Sequence, residues 1–147
     1  MTREDFHVGI KQACAQLRDK PFAEDYTCKE FAAEAYQLAG LDVSILTDAP
    51  RHSLTYGRFH SDSPLLQFIQ DTPEMRDHLR PIDKDDPMEV GDLIVISDGA
   101  SAHHVGVAYS DKLVYHLPRG SRVTAVSRRM LGEVNAIKAI FRIKDFA

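Results

Sequence analysis

The sequence predicts an α+β domain. Apolar residues recur at three- and four-residue spacing in the N-terminal part, the period of helices, and from Val90 onward the spacing shortens to that of strands. Helices followed by an antiparallel sheet is the α+β order. The chain has 147 residues, of which 44% are hydrophobic, enough for one sizeable core in a single domain over 1–147.

The first helix is expected over 2–19, with Phe6, Ile10, Ala13, Cys14 and Leu17 on its apolar stripe and Pro21 beyond its end. Cys14 lies on that stripe and reads as a packed residue. The second helix opens at Thr27-Cys28-Lys29-Glu30, which fits a capping box with Thr27 as N-cap. Phe31, Ala32, Ala35, Tyr36, Leu38 and Ala39 supply its apolar face, and Gly40 its stop. Cys28 therefore falls in the first helical turn. The region from about 41 to 87 is less regular and reads as an elaboration of the domain. Ser63-Pro64 and Thr72-Pro73 look like helix starts, with short helices near 65–69 and 74–79 and an exposed turn at 84–87. Strands are expected at 92–97, 104–110, 113–117, 123–126 and 137–143, with a short helical turn at 127–132 between the last two.

Charge and composition exclude several classes. The 18 Lys and Arg and 22 Asp and Glu give a net charge of −4 with both signs interspersed, so no basic face suits nucleic acid. No apolar run approaches the roughly 20 residues of a membrane span. The charged start, Met1-Thr2-Arg3-Glu4-Asp5, lacks the apolar core of a signal peptide, which predicts a chain that is cytoplasmic as synthesised. Two cysteines are too few for a disulfide scaffold.

Cys28 carries the chemical interest. A thiol attacks a carbonyl as the thiolate, and two devices lower a thiol pKa: the positive end of a helix dipole and a nearby imidazole that takes the proton. His104 and His116 are the best-placed bases. A turn centred on 110–112 pairs Gly106 with about Tyr115 and brings both histidines to one end of a hairpin. Alternation turns His103 to the face opposite His104. On these residues alone, a packed cysteine and two ordinary histidines explain the pattern better than catalysis does.

The ordered motifs add more. Cys28 is followed by Phe31, Ala32 and Ala35. Then come Gly91-Asp92-Leu93-Ile94-Val95-Ile96, His103-His104-Val105-Gly106-Val107-Ala108-Tyr109, Leu113-Val114-Tyr115-His116 and a closing strand over 137–143. This series resembles the NlpC-type cell-wall peptidases of the papain-like superfamily. The resemblance implies N-terminal helices, one with the cysteine at its start, packed on an antiparallel sheet of about five strands. It implies Cys28 as nucleophile, His104 as base and His116 as the orienting third residue, with no cofactor. Gly106 is expected where backbones approach closely.

The chain also departs from the family pattern. Thr27-Cys28-Lys29-Glu30 stands where the family has Asp-Cys-Ser-Gly, and Pro21-Phe22 stands where it has Pro-Tyr. The oxyanion and substrate candidates are therefore Tyr26, Phe22 and His103, together with backbone N–H groups. The connection from Cys28 to Gly91 is long and carries His52, Tyr56, Arg58 and His60, read as a wall over the cleft or as a surface elaboration.

The implied reaction is amide hydrolysis, in a peptidoglycan peptide or another small acyl substrate. Without a signal peptide, a wall hydrolase would need a phage particle, lysis or a specialised secretion route. Alternatives are a lipid acyltransferase or thioesterase, with Phe22, Leu54, Phe59 and Phe68 as an apolar pocket, and an inactive papain-like binding module. A zinc site of Cys28, His104 and His116 is a fourth reading.

Overall fold

The computed structural model describes residues 1–49, 64–97, 102–144 and 146. Helix α1 (Arg3–Leu17) buries the whole predicted stripe, Phe6, Ile10, Ala13, Cys14 and Leu17. Its N-cap Thr2 accepts from the Asp5 N–H at 3.0 Å. Helix α2 (Cys28–Leu38) follows its cap at Thr27, and Gly40 turns the chain at φ +98°. A 3-10 helix (Ser44–Asp48) comes next, then α3 (Pro64–Asp71) and α4 (Pro73–His78). The strands are β1 (Leu79–Ile82), β2 (Leu93–Ser97), β3 (Ala102–Ala108), β4 (Leu113–His116), β5 (Thr124–Ser127) and β6 (Ile137–Ile143), with α5 (Arg128–Glu133) before the last.

The six strands form one antiparallel sheet in the order β1-β6-β2-β3-β4-β5. That is one strand more than expected. β1 escaped the sequence because Leu79-Arg80-Pro81-Ile82 is short and holds a proline, which an edge strand tolerates. Leu79 starts this strand instead of ending a helix over 74–79. The 3-10 helix was also unforeseen, since five residues show no period. Among the described residues no helix is long and apolar enough to cross a membrane.

β2 explains its own continuous apolar run, because it is buried on both faces. Leu93 and Val95 join Val105, Val107, Tyr115 and Phe141 under α1 and α2. Ile94 and Ile96 face the other way, with Ala108, Val114, Ile140 and Leu131.

The Gly-Asp-Leu motif locks these layers together. Gly91 sits at φ +89°, and a Cβ there would lie 2.2 Å from Phe6 Cε2. Tyr36 on α2 donates its hydroxyl to the Gly91 carbonyl at 2.8 Å, and the Phe6 and Tyr36 rings stack at 6.1 Å. Asp92 is 1% exposed and receives a two-pronged ion pair from Arg142, Nε to Oδ1 at 3.0 Å and Nη2 to Oδ2 at 2.9 Å. The Glu89 N–H adds a third bond at 2.8 Å.

Gly91→Ala should therefore lower unfolding stability in urea by more than about 2 kcal/mol, from overpacking and an unfavourable backbone angle. Arg142→Met should cost about 3–5 kcal/mol by leaving Asp92 buried without its counter-charge. Gly132→Ala, where a Cβ meets nothing within 4 Å, should be neutral or stabilising by up to about 1 kcal/mol. Equal effects at the two glycines would contradict this account of the motif.

Candidate active site

Cys28 owes its place to the start of α2. Thr27 is extended, and the Glu30 carboxylate accepts from the Thr27 N–H at 2.8 Å and from its hydroxyl at 2.5 Å, which fixes the first turn. The rest of its position comes from β3. Ala108 donates its N–H to Asp92 on the β2 side. Alternation along an antiparallel ladder then points the Val105 N–H to the β4 side. There β4 has already ended, since its pairing runs from Ala108↔Val114 to Gly106↔His116 and stops. The Cys28 sulfur takes the Val105 N–H instead, along with the N–H of Lys29. The thiol thus sits beside the peptide link that joins His104 to Val105.

His104 and His116 meet diagonally across β3 and β4. His116 pairs with Gly106, one place further from the turn than the expected partner Tyr115. Gly106 and His104 are two residues apart and share a face, so the two rings lie on the same side of the sheet. Gly106 makes this possible. A Cβ there would lie 2.6 Å from Val114 Cγ1, 2.9 Å from the Tyr115 carbonyl oxygen and 3.3 Å from His116 Cβ. With no side chain between them, His104 Nε2 and His116 Nδ1 approach to 2.8 Å, with ring planes at 74°.

Burial sets the charges. It lowers the His116 pKa to about 4, so this imidazole is neutral near pH 7. A neutral His116 can accept through Nδ1 from His104 Nε2–H, and His104 Nδ1 is then the basic nitrogen. Burial also pushes the Cys28 thiol up to about 11. The Val105 N–H, the Lys29 charge and the Lys29 N–H pull it down, while Glu30 pushes it up, and desolvation outweighs them. This corrects the expectation of a thiol pKa lowered by the helix terminus. The resting group is a thiol, and its ionisation needs a base at hand.

Neither the protein-family models nor the curated proteins gave a match. Solved structures did. One is the crystal structure of a protein described as similar to lipoprotein, NLP/P60 family, from Staphylococcus aureus subsp. aureus Mu50, with a TM-score of 0.55 at 16% identity. The match covers 97% of this chain and 42% of that one, so the chain spans less than half of that structure's length. The chain shares the fold of that NLP/P60-family structure. Cys28 at the start of α2 and the histidine pair on β3 and β4 stand within it.

The remaining candidates divide around this NLP/P60 core. The Tyr26 hydroxyl donates to Glu34 Oε1 at 2.6 Å, and Lys20 Nζ bonds the same oxygen at 2.9 Å while lying 3.8 Å from the Tyr26 ring centre. Glu34 is six residues beyond Cys28, about 9 Å along the helix. The hydroxyl is therefore committed to the middle of α2 and is not brought to the sulfur. Phe22 is half-buried against the core and donates its N–H to the Ser121 carbonyl at 2.8 Å. With Asp19 to Val123 at 3.0 Å and Val123 to Lys20 at 2.9 Å, this straps the segment entering Cys28 to the segment leaving His116. His103 belongs to β3 by its backbone, and its side chain lies outside the described residues. His52, Leu54, Tyr56, Arg58, Phe59 and His60 also lie outside them, while Phe68 is half-buried on the core. Among the described residues no group of three His, Cys, Asp or Glu is arranged to hold a metal, so the zinc reading gains no support. Cys14 is packed as expected, its thiol pushed up to about 12 by burial, and both cysteines are unbridged.

The sequence reading missed Lys29, seen there only as a departure from the family motif. It is 4% exposed beside Cys28. The available signal was a lysine between Cys28 and the apolar Phe31-Ala32-Ala33 run in the first turn of α2.

His116 also makes stability depend on pH. The unfolded histidine binds a proton near 6.5 and the folded one near 4, so between these values the unfolded state holds more protons. Stability should fall on acidification through that window, by up to about 3 kcal/mol from this group. Urea titrations at pH 4 to 7 should show the slope in the parent and its loss in His116→Asn. An unchanged slope would contradict the burial of a neutral His116.

Proposed function

We propose that the chain is a papain-type cysteine hydrolase that cleaves an amide bond by acyl transfer to Cys28, with a peptidoglycan stem peptide as substrate. The observation that carries the chemistry is the arrangement at the end of β4. The Cys28 sulfur lies on the N–H of Val105, the residue after His104 in β3, and His104 Nε2 is 2.8 Å from Nδ1 of a neutral His116. The substrate class rests on likeness to the NLP/P60 fold, a fold-level argument.

In this reading His104 Nδ1 takes the thiol proton as the sulfur adds to the carbonyl carbon. His104 Nε2–H stays bonded to His116 Nδ1, which stabilises the imidazolium and fixes the ring. The backbone N–H of Cys28, at the start of α2, is the donor this reading assigns to the tetrahedral oxyanion. Collapse breaks the C–N bond, and the imidazolium proton leaves with the amine. Water, deprotonated by His104, then adds to the thioester. The acid is released and the thiol regains its proton.

Incubation with purified peptidoglycan should release new amino termini, and Cys28→Ala should lower that rate by about 10³-fold or more. His104→Ala should lower it comparably. The same change should slow the alkylation of Cys28 by iodoacetamide near pH 7, followed by mass spectrometry, because the buried thiol then has no base at hand. Wall cleavage that survives Cys28→Ala would overturn the reading. Release of a fatty acid from an acyl thioester, without new amino termini, would keep the mechanism and replace the substrate.

A further inference from the structure

Lys29 is the second residue of α2, and its ammonium is buried. Nζ donates to the Thr47 carbonyl at 2.8 Å and to the Ala49 carbonyl at 2.5 Å, and lies 3.9 Å from Glu30 Oε2. The two carbonyls are at the C-terminal end of the 3-10 helix Ser44–Asp48. Carbonyls there lack helical partners and carry the negative end of the helix dipole, so a cation suits the place. The arrangement joins two elements that the sequence separates, the tail of the 3-10 helix and the first turn of α2.

Packing does not account for the charge. Burying an ammonium is costly, and the hydrogen bonds and ion pairs that accompany it do little more than offset that cost. A methionine of similar length would fill the same volume with no charge to desolvate. What the ammonium adds is a fixed positive charge, held by backbone groups, one residue from the nucleophile. The Lys29 peptide N–H adds to this by pointing at the sulfur.

We infer that Lys29 is a positioning residue of the Cys28 site: its buried ammonium pins the end of the 3-10 helix against the first turn of α2 and holds positive charge beside the sulfur. This rests on the hydrolase reading above and deepens it. The negative charge that develops in the reaction, on the thiolate and then on the oxyanion, forms next to this charge. Lys29 does not touch the substrate, because its ammonium is turned to the Thr47 and Ala49 carbonyls. Among the described residues, the charged groups that act on the sulfur are Lys29 and Glu30 on its own helix, and β3 packs against it through the Val105 N–H, next to His104 in the chain. The 3-10 helix contributes carbonyl oxygens.

The test is the pH profile of Cys28 alkylation in the full chain, for the parent and for Lys29→Met, Lys29→Gln and Lys29→Arg. Met and Gln should both raise the apparent pKa of Cys28 by about half a unit to one unit, a three- to tenfold loss of thiolate below it. Arg, which keeps the charge, should stay near the parent value. A purely structural role would lower thermal stability in Met and leave the profile of the folded protein in place. If Met does not fold, Gln, which keeps two donors for the two carbonyls, decides against Arg. A Gln profile that coincides with the parent's overturns the inference. If parent Cys28 reacts no faster than an ordinary thiol at any pH, the hydrolase reading itself fails, and that outcome is visible in the parent alone.

Discussion

The candidate site depends on one backbone group, the N–H of Val105. β4 stops pairing at His116, one residue short of taking that N–H, and the Cys28 sulfur takes it instead. The N-terminus of α2 thus docks where a strand would otherwise continue. That single substitution sets the thiol beside the peptide link that joins His104 to Val105. It also explains why α2 must sit where it does, and why Gly91 and Phe6 matter at a distance. The Phe6–Tyr36 stack and the Tyr36 bond to Gly91 hold the helix whose first residue is Cys28.

Burial then makes the site a chain of neutral groups. It raises the thiol of Cys28 and lowers the imidazole of His116, so each charge is unfavourable alone. In the proposed reaction, a proton moved from sulfur to His104 creates opposite charges together, each with its own partners. The sulfur has the N–H groups of Val105 and Lys29, and the imidazolium has His116. In a dry site such prearranged dipoles count for more than they would in water. The same logic gives His116 its usefulness, since an imidazole kept neutral remains an acceptor.

Much of this was legible in the sequence, for physical reasons. The capping box at Thr27 to Glu30 and the three-to-four spacing of α1 and α2 are local signals, and local signals survive folding. The hairpin brought His104 and His116 to one end even though its register was one residue off. Gly106 tells why the correct register works: only the pairing with His116 puts the small residue between the two rings. β1 and the 3-10 helix were not legible, because one is a short edge strand with Pro81 and the other holds no full period. The protonation of Cys28 was misjudged because a sequence reports the helix terminus and not the depth of burial. Lys29 was misread for a related reason. Its partners, the carbonyls of Thr47 and Ala49, are backbone atoms, and no residue type announces them.

The central claim is the direction of the bond between the histidines: His104 donates and a neutral His116 accepts, leaving His104 Nδ1 to receive the Cys28 proton. Nitrogen-15 NMR of the imidazole rings measures this directly. The account predicts that His116 remains a neutral Nε2–H tautomer with an unprotonated Nδ1 from pH 8 down toward about 4. A His116 that carries its proton on Nδ1, or that is an imidazolium at pH 7, would make His104 Nε2 the acceptor and contradict the relay.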